Sequence, residues 1–429
     1  MKYIIYTLGC KVNQYETQAI EALLVSRGHK PCVEGEIADA VIVNTCAVTA
    51  EAGRKSRQAI HRLREENPGA VAAVLGCYSQ LSPDAVQKLG ADIVYGTADR
   101  LKLIDAVEKA VATGEGEKAL DKPFERRVFE ELPAGAVSGH TRALLKIQDG
   151  CVNFCTYCLI PYARGRVRSL PMDKAAEQVR ALRSQGYREL VVTGIEISSY
   201  GHDLKDGTTL IDLLEIIARE GGEMRIRLGS LEPRTVTRKF CERAKKLPTL
   251  CPHFHLSMQS GCDATLKRMN RRYDTARYYE SVELLREYFD DPAITTDLIT
   301  GFPEETEEEF GETLAFIEKC GFAAMHIFPY SVRPGTKAAA MAQVDMSVRE
   351  ERAARAAAVA ERMHQGYLAR CVGKSFPVLF EQDRGEGSVG HAPNYMPVTV
   401  GMKGLHNTVQ NVRITAVDGD GLRGEPEET

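Results

Sequence analysis

Apolar positions along this chain fall into two alternating textures. Lys2–Leu8, Ala40–Thr45, Val71–Gly76 and Asp92–Gly96 are short and mostly apolar, as strands buried on both faces would be. Between them, Tyr15–Arg27, Ala50–Glu66 and Pro83–Leu89 read as helices. Strands alternating with helices predict an α/β domain, a doubly wound parallel sheet, over residues 1–113. From Gly114 to Thr141 glycine, proline and charge are scattered without a period, so 114–136 is expected to be a linker.

The alternation resumes over residues 137–366. Ala143–Gln148, Glu189–Thr193, Arg225–Leu228, His253–Met258, Ala293–Ile299 and Ala324–Pro329 are six candidate strands. Leu210–Arg219 and Glu307–Lys319 are the clearest helices between them. Six units are too few to close an eight-unit barrel and predict a partial (β/α)6 barrel, with its working residues at the carboxyl ends of the strands. Glu350–Leu368 reads as a charged, alanine-rich helix. Over 367–429, short runs at Ser375–Phe380, Met396–Val400 and Gln410–Val417 with glycine-rich turns predict a small all-β barrel.

Composition narrows the class. The 429 residues allow two to four domains, and 44% hydrophobic with 27% charged residues is ordinary for a globular protein. A net charge of −4 gives no global attraction for a polyanion, so any nucleic-acid contact must come from local basic patches. The opening Met-Lys-Tyr-Ile-Ile-Tyr reads as a strand and not as a signal peptide. No apolar run has the length of a membrane span. The expectation is a cytoplasmic protein, and in that compartment 12 cysteines point to metal or catalysis before disulfides.

Cys151, Cys155 and Cys158 form a C-x3-C-x2-C run just after the first strand of the second segment. Three thiolates on one loop can ligate three irons of a 4Fe–4S cluster and leave the fourth open to chelate S-adenosylmethionine. The alternative is zinc, which usually takes two ligand pairs and so fits a triplet less well. Cys10, Cys46 and Cys77 each follow one of the first segment's strands. A lone free cysteine is usually a small buried residue. Three at matching stations, where the loops of a doubly wound sheet converge, suggest a second cluster. Cys32, Cys241, Cys251, Cys262, Cys320 and Cys371 show no such grouping and read as core or incidental thiols, with Cys262 closest to a candidate site loop.

The stretches Thr7-Leu8-Gly9-Cys10-Lys11-Val12-Asn13-Gln14, Asn44-Thr45-Cys46, Gly76-Cys77-Tyr78 and 151–158 resemble the radical S-adenosylmethionine methylthiotransferases. The similarity continues through Ile160–Arg166, Met258–Asp263 and Phe328–Ser331 and covers essentially the whole chain, including a C-terminal segment similar to the TRAM RNA-binding domain. The opening and the Asn153–Arg166 stretch most resemble the MtaB-type subgroup, which acts on threonylcarbamoyladenosine beside the tRNA anticodon, at position 37.

The resemblance implies two 4Fe–4S clusters. The one on Cys151, Cys155 and Cys158 would cleave S-adenosylmethionine to a 5′-deoxyadenosyl radical that takes hydrogen from C2 of the adenine. The other, on Cys10, Cys46 and Cys77, would present sulfur, and a second S-adenosylmethionine would supply the methyl group. It also implies cofactor contacts from Tyr157, Gly194, Ser230, Glu232, Ser257 and Gln259, and as partners a tRNA, an electron donor and a sulfur source, with no membrane. Two departures stand out. Glu304 replaces a glycine usual in the family, so a side chain must accept positive φ there. Glu196 stands where relatives usually carry a neutral or imidazole group.

Arg54, Arg57, His61 and Arg64 recur at helical spacing opposite Ile60 and Leu63, a stripe suited either to phosphate or to solvent. Arg164, Arg166 and Arg168 alternate just after the cluster loop and would share one face if extended, beside the cofactor, which makes them candidate RNA contacts. The basic residues of the C-terminal segment are offset by acids, so its RNA role rests on resemblance. Besides threonylcarbamoyladenosine in tRNA, isopentenyladenosine in tRNA or a ribosomal protein side chain remain open as substrates. A non-enzymatic metal-containing RNA-binding module would leave unexplained why both trios stop at three ligands.

Overall fold

The computed structural model describes residues 1–134 and 141–427. The boundary expected at 136/137 and the last two residues lie outside these. β1 (Lys2–Thr7), β2 (Lys30–Pro31), β3 (Ala40–Thr45), β4 (Val71–Gly76), β5 (Ile93–Tyr95) and β6 (Glu117–Ala119) form one parallel sheet in the order β2-β1-β3-β4-β5-β6. Alternate residues of each strand serve opposite faces. Val41 and Val43 pack with Ile60 and Leu63 of the helix Ala50–Glu66. Ala40 and Ile42 pack with Ile20 and Leu24 of Lys11–Ser26 and with Leu103 and Val107 of Arg100–Thr113. The doubly wound arrangement is as expected, although the helix Arg100–Thr113 was not foreseen. Strand order reverses between β1 and β3, the place where such sheets open a ligand crevice.

The stretch 114–134 is no free linker. It supplies the edge strand β6, and its Phe129 and Leu132 are buried. The Tyr15 hydroxyl donates to the Leu132 carbonyl at 2.8 Å. These contacts strap the first sheet onto the central segment.

All six strands expected in the central segment form. β7 (Arg142–Asp149), β9 (Glu189–Gly194) and β10 (Arg225–Leu228) pair in parallel, with a two-residue antiparallel β8 (Arg168–Ser169) at the outer edge of β7. β11 (His253–His255), β12 (Ala293–Thr300) and β13 (Ala324–Pro329) form a second parallel set. Parallel bridges Ile226–Leu250 and Leu231–Leu256 carry the arc from one set to the other. The six strands follow one another in chain order as an open arc. The helices Leu210–Gly221 and Glu307–Cys320 each start in a capping box, from Thr209 with Asp212 and Thr306 with Glu309.

The helix Met346–Cys371 leads into β14 (Ser375–Arg384), β15 (Gly387–His391), β16 (Pro397–Val400), β17 (Val409–Asp418) and β18 (Gly421–Pro426). These close a small barrel in the order β14-β15-β16-β18-β17 around Val378, Phe380, Val398, Val412, Ile414 and Leu422. Among the described residues, no helix is long and apolar enough to cross a membrane.

Candidate active site

Cys151, Cys155 and Cys158 lie half-buried on the loop after β7. The loop is held from three sides. The Cys151 N–H donates to the Gly165 carbonyl (3.0 Å) and the Thr156 N–H to that of Met269 (3.1 Å). The Asn270 side-chain amide donates to the Asn153 and Phe154 carbonyls at 3.2 and 3.0 Å. Phe154 sits at φ +50°, a conformation a side chain keeps only where the surroundings fix it. Cys155 Sγ accepts a hydrogen bond from Arg271 Nη1 at 3.2 Å, and Cys158 Sγ one from the Ile160 N–H at 3.4 Å. Burial pushes the Cys151 and Cys158 thiols up to about 12, so a bound metal is what would hold them as thiolates. Among the described residues, the one trio of metal-binding groups close enough together for a single ion is His255, Asp297 and His326. Neither cysteine trio is drawn in so tightly, which suits a multi-iron cluster better than one zinc ion. Arg271 was missed in the sequence, where nothing in Asn270-Arg271-Arg272 marks a partner for a thiolate.

Cys10, Cys46 and Cys77 follow β1, β3 and β4, three adjacent strands. Gly9, at φ +103°, lets the Cys10 loop close on Cys46, because a methyl group there would stand 2.8 Å from Cys46 Sγ. The Asn13 amide ties the same loops by donating to the Leu8 and Thr45 carbonyls at 2.8 and 3.1 Å. Cys10 is exposed, whereas Cys46 and Cys77 are buried. Burial pushes Cys77 up to about 11 against the pull of the neighbouring Arg164 guanidinium.

A buried ion network joins the two loops. Glu16, on the helix that follows Cys10, is wholly buried and accepts from Lys146 (2.8 Å) and from both Arg164 nitrogens (2.8 and 3.2 Å). Arg100 pairs with it at 2.7 Å. Asp149, at the end of β7, shares Lys146 and Arg164, and Arg164 Nη2 also donates to Asn13 Oδ1 at 3.0 Å. Burial alone would raise Glu16 and Asp149, but these cations outweigh it and hold both well below the usual carboxylate range.

This corrects the reading of the three alternating arginines. Arg164 ends the helix Ile160–Arg164 and is fully buried in the network. Arg168 is also buried and donates to the Arg164 and Arg166 carbonyls. Neither can reach a phosphate, and only Arg166 is exposed. Arg54, Arg57, His61 and Arg64 are exposed with Ile60 and Leu63 inward, as expected. Arg54 is paired with Glu51, Arg64 donates to the Leu89 carbonyl, and Arg57 lies over the Tyr78 ring at 5.9 Å.

Two of the expected cofactor contacts, Glu232 and Ser230, line two different cavities. One, of about 510 Å³, brings Glu232 together with Cys151, Asn153 and Glu196. Glu232 there accepts from Arg234 Nε at 2.8 and 3.1 Å. Glu196 accepts from the Asn153 amide at 2.9 Å, and burial, with Glu232 nearby, raises its pKa. Ser230 faces the other cavity, in the interior of the arc. Gly194 ends β9 against the Gln148 carbonyl. Tyr157 packs edge-on to Phe302 at 6.3 Å. The Ser257 carbonyl accepts from Arg271 and Tyr273, and Gln259 is held at φ +70° by backbone bonds to β12. Glu304 takes φ +63°, as its place in a glycine position required. Of the remaining cysteines Cys32 is half-buried and the rest, Cys262 included, are buried.

Residues 145–317 match the Radical SAM superfamily, and residues 2–96 match a family described as Uncharacterized protein family UPF0004. The chain is 38% identical over 414 residues to a threonylcarbamoyladenosine tRNA methylthiotransferase MtaB of Bacillus subtilis, covering 95% of this chain and 91% of that protein. It is also 38% identical over 341 residues to a tRNA-2-methylthio-N(6)-dimethylallyladenosine synthase of Thermotoga petrophila, covering 79% and 76% of the two chains. The radical S-adenosylmethionine methyltransferase TsrM of Kitasatospora setae shares the fold, with a TM-score of 0.57 at 13% identity over 90% of this chain and 79% of that one. With the cysteine loop after β7 and the open arc of parallel strands, this establishes that the chain belongs to the radical S-adenosylmethionine methylthiotransferase family.

Proposed function

We propose that this enzyme converts N6-threonylcarbamoyladenosine at position 37 of tRNA, beside the anticodon, into its 2-methylthio derivative. The observation that carries the reading is the coupling of two three-cysteine sites. The loop that holds Cys151, Cys155 and Cys158 runs on to Arg164, and Arg164 reaches Asn13 and Glu16 on the helix that begins at Cys10. Two sites so joined suit a reaction with two parts, carbon activation and sulfur delivery.

Cys151, Cys155 and Cys158 would hold the 4Fe–4S cluster, and Cys10, Cys46 and Cys77 a second one. When bound with S-adenosylmethionine, these groups supply a 5′-deoxyadenosyl radical, a sulfur atom and a methyl group. The chain's own part is to hold and orient. Arg271 fixes Cys155 by donating to its sulfur. Glu232, oriented by Arg234, and Glu196, oriented by Asn153, line the cavity beside Cys151 and suit the ammonium and hydroxyl groups of the nucleoside cofactor. Tyr157, Gly194, Ser257 and Gln259 border the same end of the arc, while Ser230 faces its interior. The C-terminal barrel would serve as a TRAM-like RNA module, with Arg54, Arg57, Arg64 and Arg166 as exposed phosphate contacts. An electron donor and a sulfur source complete the set of partners.

Two triple variants test this reading. Changing Cys151, Cys155 and Cys158 to Ala should remove half of roughly eight irons and abolish 5′-deoxyadenosine formation. Changing Cys10, Cys46 and Cys77 to Ala should remove the other half and abolish methylthiolation while 5′-deoxyadenosine still forms. Stoichiometric zinc without acid-labile sulfide would contradict the proposal.

A further inference from the structure

The interior of the arc holds a cavity of about 410 Å³ that the cysteine sites do not account for. Its walls include Lys11 from the first domain, Ser230, His255, Asp297 and His326 from the strands, and Tyr395 from the C-terminal barrel. Lys11 directly follows Cys10, so the cavity adjoins the second cysteine site. Asp297 is already engaged, lying 3.3 Å from His255 Nε2 and 3.2 Å from His326 Nδ1. His255 Nδ1 in turn lies 3.0 Å from the Thr295 hydroxyl. His326 stays 70% exposed because it projects into this space from β13. Phe328, on the same face of that strand, is 46% exposed and offers a flat apolar surface beside it.

Lys11 makes no ion pair among the described residues and is exposed to the cavity; Glu189, whose charge it feels, is already held by Arg225 and Arg227. An ammonium here disfavours a metal ion at the neighbouring His–Asp–His group and favours an anion. It would also be a poor neighbour for an apolar tail, since enclosing an unpaired charge is costly. The two relatives' substrates differ in just this respect. A dimethylallyl group is a hydrocarbon, whereas a threonylcarbamoyl group ends in a carboxylate and a hydroxyl.

We infer that this cavity is the specificity pocket for the substituent on N6 of the substrate adenosine, with Lys11 as counter-ion to its carboxylate and Ser230 and His326 as hydrogen-bonding neighbours. The inference rests on the substrate proposed above. A charge-assisted bond inside a cavity is among the stronger ones, so its loss should be visible over the binding of the RNA backbone.

The test compares two anticodon stem-loops, one carrying threonylcarbamoyladenosine and one carrying its methyl ester, at one salt concentration. Fluorescence anisotropy gives Kd for each, and nucleoside mass spectrometry follows their methylthiolation. The wild-type enzyme should bind the acid at least tenfold more tightly than the ester. In Lys11→Met that ratio should fall towards one, and Lys11→Arg should keep most of it. His326→Gln, remote in sequence from any cluster ligand, should reduce the ratio in part even if Lys11→Met folds poorly. Equal binding of acid and ester by the wild type, or an unchanged ratio in Lys11→Met, would overturn the pocket assignment while methylthiolation of the acid leaves the substrate reading standing. If neither stem-loop is methylthiolated, the substrate reading itself is wrong and the pocket assignment goes with it.

Discussion

Glu16 is the centre of the contact between the first domain and the core, and its replacement by Gln should be costly. The carboxylate is 0% exposed and faces Lys146, Arg164 and Arg100 at 2.7–2.8 Å. Gln has the same shape but neutralises one of the three carboxylates that balance Arg100, Lys146, Arg164 and Arg168, the others being Asp149 and Glu130. Its amide nitrogen would also point hydrogen at those cations. Removing one partner of a buried ionic group costs about 3–5 kcal/mol, because the remaining charges stay out of water. Arg100 keeps Glu130 and Lys146 keeps Asp149, which places the expected loss near the lower end, about 3 kcal/mol. That is roughly a hundredfold in the unfolding equilibrium. Urea unfolding of the iron-free protein, followed by circular dichroism, measures it without interference from metal loss. Glu51→Gln, which breaks only the exposed pairs of Glu51 with Arg54 and Lys55, is the control and should match the wild type. If Glu16→Gln also matched the wild type, the network would not be holding the two domains together.

Three further outcomes follow from the same geometry. Gly9→Ala should displace Cys46 and lower iron content by about half while 5′-deoxyadenosine formation survives; full iron retention would refute the close approach of the two loops. Arg271→Ala removes the donor to Cys155 and should lower the reduction potential of the first cluster in an EPR-monitored redox titration, and an unchanged potential would exclude that role. Glu189, buried between Arg225 and Arg227, would be raised by burial, but the arginines win and bring it down to about 2. Its ionisation therefore contributes stability, about 3 kcal/mol, that is present above pH 4.5 and lost as pH falls towards 2. Glu189→Gln should be less stable at neutral pH and lose less on acidification through that window; a parallel acid limb would refute the assignment.

The two cysteine trios were legible because their signals are local. The spacing of Cys151, Cys155 and Cys158 needs no tertiary information, and the stations of Cys10, Cys46 and Cys77 follow from strand boundaries that apolar runs mark clearly. The arginines after the cluster loop were misread for a physical reason. Alternation implies one face only in an extended chain, but Arg164 ends a helical turn and Arg168 sits in a two-residue edge strand, both turned inward by carboxylates distant in sequence. Glu16 and Lys146 are 130 positions apart, and nothing local announces their pairing. The stretch 114–134 looked like a connector because β6 is a charged edge strand, Glu117-Lys118-Ala119, while Phe129 and Leu132 sit among charged residues without a period and their burial depends on the neighbouring domain. The same distance effect hid Lys11 and His326, which share a cavity although more than three hundred residues separate them.

The most direct test of the central claim is nucleoside mass spectrometry of tRNA carrying threonylcarbamoyladenosine after anaerobic reaction with reconstituted enzyme, reductant and S-adenosylmethionine. Appearance of the 2-methylthio derivative, lost in either triple-cysteine variant, is the result this structure predicts. An unchanged nucleoside while 5′-deoxyadenosine accumulates would contradict the substrate and leave only the radical chemistry.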